Sequence, residues 1–302
     1  MLDVCLLGTG GMMPLPNRWL TSCLLRYKGS MILIDCGEGT QIPYKAKGWG
    51  FKNLDIICFT HYHADHIAGL PGMLLTLGNS ERTEPITLIG PKGLKDTVEA
   101  LRVIARELPF EIEYIEFSNE EEVRIEFDEF DIRALKVDHR IDCYGYSVEY
   151  KRDRKFDIQK AEKLNIPRNL YSSLQKEEIV EFEGKTYTPD MVLGDTRKGF
   201  KVSYITDTRP TKAMEKFVEK SDLFIAEGMY FEEEKYDRAK KTKHMMMSEA
   251  AKLAQISEVK ELWLTHFSPA VAKPIVHRDD VRRIFRNTYM GKDGIEKTFK
   301  YE

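Results

Sequence analysis

Short runs of hydrophobic residues, separated by glycines and polar residues, dominate the first half of the chain. Such runs predict buried β-strands, and residues 123–127 and 130–135 alternate apolar and polar side chains, which indicates a hairpin with one solvent-facing side. Longer apolar spacing predicts helices at 70–78 and 94–107. The predicted strands of this half are residues 4–7, 22–27, 31–34, 56–59, 86–89, 123–127, 130–135 and 144–150.

The same succession of strands and helices returns after residue 200. The predicted strands are residues 201–206, 223–226 and 261–264, and the predicted helices are 211–220, 248–256 and 279–286. Strands followed by helices, twice along the chain, favour two central sheets with helices outside them. We therefore predict an α/β (α+β) fold, a four-layer αββα sandwich formed as a single domain by residues 1–302.

Residues 151–200 interrupt this pattern with a polar stretch that has few sustained apolar periods. A long insertion inside a compact domain is usually functional or mobile, so we predict an inserted arm that binds substrate. Its basic residues are either a solvated surface or contacts to phosphate groups. At the start of the segment these are Lys151, Arg152, Arg154 and Lys155.

Composition narrows the class of protein. With 302 residues, 42% of them hydrophobic, the chain can bury a large core. The formal net charge of −3 weakens a nucleic-acid interpretation but does not exclude it, because metal ions supply local positive charge. No apolar stretch approaches the roughly 20 residues of a membrane span, and the start of the chain predicts a strand rather than a signal peptide. Five scattered cysteines without C-x-x-C favour reduced thiols in a cytoplasmic protein.

The segment D-I-I-C-F-T-H-Y-H-A-D-H-I-A-G-L, residues 55–70, carries the clearest chemical signal. Directly after a predicted strand come four metal-competent side chains, His61, His63, Asp65 and His66. Imidazole and carboxylate groups suit Zn²⁺ and similar ions, and four of them on one loop can serve two ions. The alternative is a solvated histidine-rich loop. The pattern indicates a metallohydrolase.

Three further candidates, His139, Asp207 and His266, each follow a predicted strand. Strand ends of stacked sheets converge on one rim, so these residues are expected near the first cluster. A two-metal site needs about six or seven protein ligands around ions roughly 3.5–4 Å apart. The predicted ligands are His61, His63 and His139 for one ion, Asp65, His66 and His266 for the other, and Asp207 as the bridge. Taken singly, His139 and His266 could each be a hydrogen-bonded core histidine.

Two assignments needed a choice between alternatives. D-T-R occurs at Asp195 and again at Asp207, and we favour Asp207 because it follows an apolar strand whereas Asp195 lies in the polar insertion. Asp35, which ends the run M-I-L-I-D, either orients the ligand loop from behind the metal ligands or caps the turn G-E-G-T-Q.

Together these motifs resemble the metallo-β-lactamase fold and, more narrowly, the ribonuclease Z family of tRNA 3′-end processing endonucleases. The resemblance covers nearly the whole chain, including K-A-E-K-L-N-I-P and P-D-M-V-L-G in the insertion. The other matching pieces are G-T-G-G (8–11), L-I-D-C-G-E-G-T-Q (33–41), T-H-Y-H-A-D-H (60–66), H-R-I-D-C-Y-G-Y (139–146), K-V-S-Y-I-T-D-T-R-P (201–210) and L-T-H-F-S-P (264–269).

The resemblance implies a zinc-dependent phosphodiesterase that removes 3′ trailers from tRNA precursors by means of a metal-bound hydroxide. It implies two Zn²⁺ per chain, although Mn²⁺ or Fe²⁺ would fit the same ligands. Asp65 would also act as proton acceptor, while Glu227 and His244 would help to protonate the leaving 3′ oxygen. The family further implies a homodimer in which the arm of one subunit clamps the RNA bound by the other.

The chain also departs from the family pattern. It has A-E-G-M around Glu227 where the family has H-E-A-T, and H-M-M at His244 where the family has H-S-T. The arm segment I-P-R-N, residues 166–169, lacks the usual Gly-Pro pair. These differences keep two alternatives open: a hydrolase of a small or cyclic phosphodiester or another ester, and a metal-stabilised binding protein without turnover.

Overall fold

The computed structural model describes residues 1–231 and 233–301, which contain two seven-stranded β-sheets and a small two-stranded sheet. The strands are β1 (Leu2–Gly8), β2 (Ser22–Tyr27), β3 (Ser30–Ile34), β4 (Leu54–Cys58), β5 (Ile86–Gly90), β6 (Ile112–Glu116), β7 (Glu122–Glu126), β8 (Phe130–Lys136), β9 (Tyr144–Arg152), β10 (Val180–Phe182), β11 (Lys185–Tyr187), β12 (Arg197–Ile205), β13 (Leu223–Glu227), β14 (Leu262–Thr265), β15 (Thr288–Met290) and β16 (Glu296–Phe299). The first sheet has the order β16-β1-β2-β3-β4-β5-β6 and the second β15-β14-β13-β12-β9-β8-β7.

The described residues form ten α-helices, six of which cover the outer faces of the two large sheets. The ten are α1 (Gln41–Lys47), α2 (Ala64–Ile67), α3 (Leu70–Asn79), α4 (Leu94–Leu101), α5 (Ile158–Lys163), α6 (Tyr171–Gln175), α7 (Lys212–Val218), α8 (Tyr236–Thr242), α9 (Met247–Ile256) and α10 (Arg278–Ile284). One apolar cluster joins the outer face of the first sheet to α1, α3 and α4, and another joins the second sheet to α7, α9 and α10.

A third apolar cluster fills the space between the two sheets. It combines residues of the first sheet, such as Val4 and Ile34, with residues of the second, such as Ile132, Val202 and Trp263. The inner strands are therefore buried on both faces, which explains why they appear in the sequence as continuous apolar runs. The layer order is helices, sheet, sheet, helices, as the sequence predicts.

The carboxyl ends of several strands meet at one rim of the sandwich. Strands β3 to β6 run parallel in the first sheet, and β12 to β15 run parallel in the second. The short helix α2 is held at this rim by direct backbone contact, because a Cβ atom on Gly69 would lie 1.9 Å from the carbonyl oxygen of Gly37. The loops after these strands therefore start from rigid, closely packed positions.

The predicted arm is folded rather than irregular. Strands β9 and β12 extend into it at either end, so the inserted segment proper runs from residue 153 to 196. It contains α5, α6 and the β10-β11 hairpin around a small apolar cluster of its own. The sequence hides this cluster because each short element contributes one or a few apolar residues. Its buried members are Ala161, Ile166, Leu170, Leu174, Tyr187, Val192 and Leu193.

Other details differ from the sequence prediction. The helix expected over 94–107 ends at Leu101 and continues only as a 3₁₀ turn, Arg102–Ile104, in which Val103 and Ile104 are exposed. Strands β6, β15 and β16 of the large sheets were not predicted, and neither were β10 and β11 in the arm. All five cysteines are buried free thiols, in agreement with the reduced thiols that the sequence predicts. None of the helices within 1–231 and 233–301 combines the length and hydrophobicity that a membrane-crossing segment needs.

Candidate metal centre

The predicted ligands come together at the rim where the strands end. His61 and His63 follow β4, and His139 follows β8. Asp207 follows β12, and His266 follows β14. Asp65 and His66 lie in α2, directly after the β4 loop. Seven side chains from four strand ends and one short helix therefore share one cluster.

Among the described residues, four overlapping groups of three side chains could each hold an ion, and one of them joins His244 to Asp207 and His266. Two of the four match the ligand trios that the sequence predicts, and these two are called the first and the second group. The ligand atoms of His61, His63 and His139 all lie within 4.8 Å of one another, and those of Asp65, His66 and His266 do so as well. In the first group the Nδ1 atom of His63 is 2.9 Å from Nε2 of His61 and 3.3 Å from Nε2 of His139. In the second group Oδ2 of Asp65 is 3.5 Å from Nε2 of both His66 and His266.

Asp207 lies between the two groups. Its Oδ1 atom is 4.0 Å from Nε2 of His61, and its Oδ2 atom is 3.2 Å from Nε2 of His66 and 3.3 Å from Nε2 of His266. The Asp207 side chain is 2% exposed, whereas Asp195, in the other D-T-R motif, is exposed within the arm. The structure thus brings Asp207 to the cluster and leaves Asp195 on the surface.

These side chains fit divalent cations. Oδ2 of Asp207 is buried and makes no well-oriented hydrogen bond to any described residue, although ring nitrogens lie close to it. A buried carboxylate oxygen without a hydrogen bond is costly unless a cation compensates it. The nitrogen and oxygen donors are those that zinc takes in proteins.

The electrostatics of the two groups also suit metal ions. Burial lowers the pKa of His61, His63 and His139 below the ordinary value, so these imidazoles are neutral, the form that binds metal. Burial also opposes protonation of His266, but the carboxylates around it, Asp207 first, raise its pKa to about 10. The carboxylates around the His266 imidazole therefore favour positive charge at this position.

Asp35 and Thr60 support the cluster from behind. The backbone N–H and the hydroxyl of Thr60 both donate to the Asp35 carboxylate, and Nδ1 of His66 lies 2.8 Å from its Oδ2. The Thr60 hydroxyl also lies 3.0 Å from Nδ1 of His61. The Asp35 carboxylate therefore contacts Thr60 and His66 rather than the turn that follows it, and Thr60 is a member of this network that the sequence did not reveal.

We expect Asp35→Asn to weaken metal binding by about 10–100-fold, because partners that orient metal-bound imidazoles contribute on this scale. The amide keeps the size of the carboxylate but loses its negative charge beside His66. Titration against a chromophoric zinc chelator measures the affinity, and Asp142→Asn, at an exposed carboxylate paired with Lys136, is the control. Unchanged zinc affinity in the folded Asp35→Asn protein would contradict this role.

The glycine-rich loop after β1 reaches the cluster through its backbone. A Cβ atom on Gly11 would lie 2.7 Å from the imidazole of His266, so only glycine fits there without displacing the ring. The next residue, Met12, donates its backbone N–H to Oδ2 of Asp65 at 2.7 Å and has a left-handed φ of 71°. The motif G-T-G-G predicts this loop. Its hydrogen bond from Met12 to Asp65 joins residues far apart in the sequence, so no local sequence pattern predicts it.

Three aspartate and histidine positions of the cluster have an unusual backbone. The φ angles of Asp35, Asp207 and His266 are 63°, 56° and 53°, in the left-handed region that non-glycine residues rarely adopt. Such conformations cost on the order of 1–3 kcal/mol each and persist where the surroundings fix them, often at functional sites. Each of the three residues directly follows or nearly follows a strand, so the turn aims its side chain inward.

Glu227 and His244 form a pair beside the cluster. The buried Glu227 carboxylate lies 2.9 Å from Nδ1 of His244 and accepts the backbone N–H of Thr208 at 2.7 Å. Nδ1 of His244 is also 3.7 Å from Oδ1 of Asp207. Burial opposes protonation of His244, but Glu227 raises its pKa above the ordinary value. The pair can therefore hold a proton next to the metal ligands.

The chain is similar to described proteins along nearly its whole length. A protein-family model described as anti-Pycsar protein Apyc1 matches residues 2–288. Ribonuclease Z of Agathobacter rectalis is 59% identical over 293 residues, which cover 97% of this chain and 96% of that protein. Ribonuclease Z of Lachnospira eligens is 53% identical over 302 residues, 100% of this chain and 99% of that protein.

Solved structures show the same fold at lower identity. The crystal structure of human tRNase Z, short form, has a TM-score of 0.71 and 24% identity, and covers 99% of this chain and 100% of its own. The metallo-β-lactamase fold protein YhfI from Bacillus subtilis has a TM-score of 0.69 and 17% identity, and also covers 99% and 100%.

The two sheets and their outer helices define the metallo-β-lactamase fold. The ribonuclease Z relatives, together with the histidine–aspartate cluster, define a metal-dependent hydrolase. The identity to relatives along the whole chain narrows the class further. The chain belongs to the ribonuclease Z family, and the resemblance drawn from its motifs is confirmed.

Proposed function

We propose that this protein is a two-metal endoribonuclease that removes 3′ trailers from tRNA precursors. The observation that carries the proposal is the position of Asp207, within 4.0 Å of ring nitrogens from both groups of side chains. The identity of 59% to a ribonuclease Z supports the choice of substrate.

The proposed ligands divide as the sequence predicts. His61, His63 and His139 would hold one ion, Asp65, His66 and His266 would hold the other, and Asp207 would serve both. Zinc suits this nitrogen-rich set, and Mn²⁺ or Fe²⁺ would fit the same donors. When bound, two divalent ions would offset negative charge on the scissile phosphate and lower the pKa of the attacking water.

The remaining chemistry belongs to side chains of the protein. Asp65, fixed by the Met12 N–H, accepts the proton of the water that attacks phosphorus. The bond between phosphorus and the 3′ oxygen then breaks, and His244 gives its proton to that oxygen. Glu227 orients the His244 ring and favours its protonated form. Proton transfer of this kind contributes about 10²–10⁴-fold to a rate.

The arm is proposed to contact the RNA, but two of its basic residues are already engaged within the protein. Arg154 pairs with Asp190 at 2.8 Å and donates to the carbonyl of Gly194. Lys151 lies 3.0 Å from Asp131. Lys155 is exposed at the start of the arm and is the better candidate for a phosphate contact.

The proposal includes a homodimer, expected from the family resemblance, and a cytoplasmic location, in keeping with five buried free thiols. Light scattering of the purified protein tests the dimer. If the protein were a monomer at the concentrations used for activity, its arm would not clamp RNA bound by a second subunit, while the proposed catalytic site would be unaffected.

A second candidate is hydrolysis of a small or cyclic phosphodiester. The engagement of Lys151 and Arg154 inside the protein favours it, because fewer cations are left for an RNA backbone. The two candidates share the metal centre and differ only in what the surrounding surface binds.

Incubation of the purified, zinc-loaded protein with an end-labelled tRNA precursor distinguishes the candidates. We expect a single cut at the end of the acceptor stem, which a chelator and His63→Ala both abolish. Hydrolysis of a chromogenic phosphodiester without any cut in the precursor would support the second candidate. Binding of the precursor with no product from either substrate would mark a binding protein without turnover.

A further inference from the structure

The turn that carries His244 connects α8 to α9 and is held by polar contacts from several elements: Lys243 pairs with Asp138 at 2.6 Å, and its carbonyl oxygen lies 3.3 Å from Nδ1 of His139. Lys243 adopts a left-handed φ of 63°, and the backbone N–H of His244 donates to the carbonyl of Ala239 at 2.9 Å. Met245 and Met246 are buried, but apolar packing is non-directional and does not by itself fix the orientation of a ring. The directional contact of the ring itself comes from Glu227, and that of the His244 carbonyl oxygen comes from Arg209.

Arg209 supplies such contacts from the strand end that carries Asp207. Its Nη1 atom donates to the carbonyl oxygen of His244 at 2.5 Å and to Oε2 of Glu249 at 2.8 Å, and its Nη2 atom donates to the other oxygen of Glu249. The two side chains are 13% and 17% exposed. A bidentate arginine–carboxylate pair in a partly desolvated position has both strength and a fixed geometry.

Glu249 secures the other side of the same turn. Its Oε2 atom accepts the backbone N–H of Met246 at 2.9 Å. Met246 is the N-cap of α9, a position where serine, threonine, asparagine or aspartate would supply an oxygen acceptor for the helix N–H groups. A thioether is a weak acceptor, so the Glu249 carboxylate is the strong acceptor in this turn.

The backbone of Arg209 is in turn fixed to the metal ligands. Its N–H donates to the carbonyl of Asp138 at 3.1 Å, and Asp138 directly precedes His139. Arg209 therefore stands two residues from one proposed metal ligand, bonded to the neighbour of a second, and holds the backbone of His244 with its side chain. This arrangement fixes the position of the His244 ring relative to the proposed metal ligands.

We propose that Arg209 and Glu249 are positioning residues that hold His244 where its proton reaches the leaving oxygen. The inference rests on the proposed function, because it requires His244 to act as the acid. The inference predicts that loss of the Arg209–Glu249 pair lowers the rate only of reactions whose leaving group needs a proton.

Two substrates test this claim. The 3′ oxygen of RNA is a poor leaving group and needs a proton, whereas the p-nitrophenolate of thymidine 5′-p-nitrophenyl phosphate leaves without one. We expect Arg209→Lys, which keeps the charge but loses the fork, to lower kcat on precursor tRNA by about 10–100-fold, since misplacement by about 1 Å costs up to this much. Its KM on the precursor and its kcat on the p-nitrophenyl ester should stay within about threefold of the native values.

A matched control and a second variant distinguish loss of positioning from loss of folding. Arg133→Lys changes another arginine that holds two carboxylates, Glu122 and Glu149, away from the metal centre, and should leave both activities unchanged. The double variant Arg209→Met/Glu249→Met removes both charges together, so neither is left buried without its partner. Once thermal unfolding shows that it is folded, it should reproduce the selective loss on RNA.

A double-mutant cycle supplies the deciding readout. If Arg209 acts through His244, then Arg209→Lys has no further effect on RNA cleavage in the His244→Ala background. Equal losses on both substrates, an additive loss in that background, or no loss at all would overturn the proposal. If the native protein does not cut precursor tRNA, the proposed function itself fails. The positioning claim is then judged on phenyl and p-nitrophenyl esters of thymidine 5′-phosphate, where only the phenyl ester should be sensitive to Arg209→Lys.

Discussion

Asp207→Ala is expected to lower phosphodiester hydrolysis by at least about 10³-fold, because the ions supply several kcal/mol of charge stabilisation and each 1.36 kcal/mol is tenfold in rate. It should also reduce the bound metal at both positions together. The reason is the location of Asp207 between the groups, with His61 on one side and His66 on the other. Elemental analysis of the dialysed protein measures the metal, and hydrolysis of a chromogenic phosphodiester measures the activity.

The chain offers its own control for this variant. Asp195 begins the other D-T-R motif, is exposed in the arm and takes no part in the cluster, so Asp195→Ala should keep full metal content and full activity on the small substrate. If Asp207→Ala retained both ions, or if Asp195→Ala lost them, the bridging role of Asp207 would be wrong.

The second large effect is expected from His244→Ala, which should lower cleavage of precursor tRNA by about 10²–10⁴-fold, the usual contribution of a general acid. Metal content should stay close to that of the native protein, because each proposed trio of ligands is complete without His244. Single-turnover cleavage of end-labelled precursor measures the rate, and elemental analysis confirms the metal.

A histidine outside the cluster provides the comparison for this variant. His277 stacks on Phe231 with ring centroids 3.8 Å apart, and His277→Ala should cut the precursor at the native rate. A His244→Ala protein that lost its metal, or one that cut the precursor as fast as the native protein, would show that His244 is not the acid.

The sequence predicts the layers of this fold well where strands are buried on both faces. Residues 22–27 were predicted as a strand and form β2 with the same bounds, because continuous burial leaves a continuous apolar run. Strand β16 was missed because its side chains are exposed or half-buried, and it exists through pairing with β1 at the other end of the chain. Long-range pairing of that kind has no local pattern.

For the candidate site, the sequence reveals the metal-ligating side chains better than the residues that hold them in place. The motif H-x-H-x-D-H predicted four cluster members, and the strand ends predicted His139, Asp207 and His266. The contact of Met12 with Asp65 joins residues 53 apart, and that of Arg209 with Glu249 joins residues 40 apart. Each depends on packing of the complete fold, so neither could be anticipated from spacing along the chain.

Anomalous diffraction at the zinc absorption edge, from crystals of the native protein loaded with zinc, tests the central claim most directly. We expect two anomalous peaks roughly 3.5–4 Å apart, the separation typical of two-metal sites. One peak should lie among His61, His63 and His139, the other among Asp65, His66 and His266, with the Asp207 carboxylate between them. A single peak, or a second peak away from these residues, would contradict a two-metal centre bridged by Asp207.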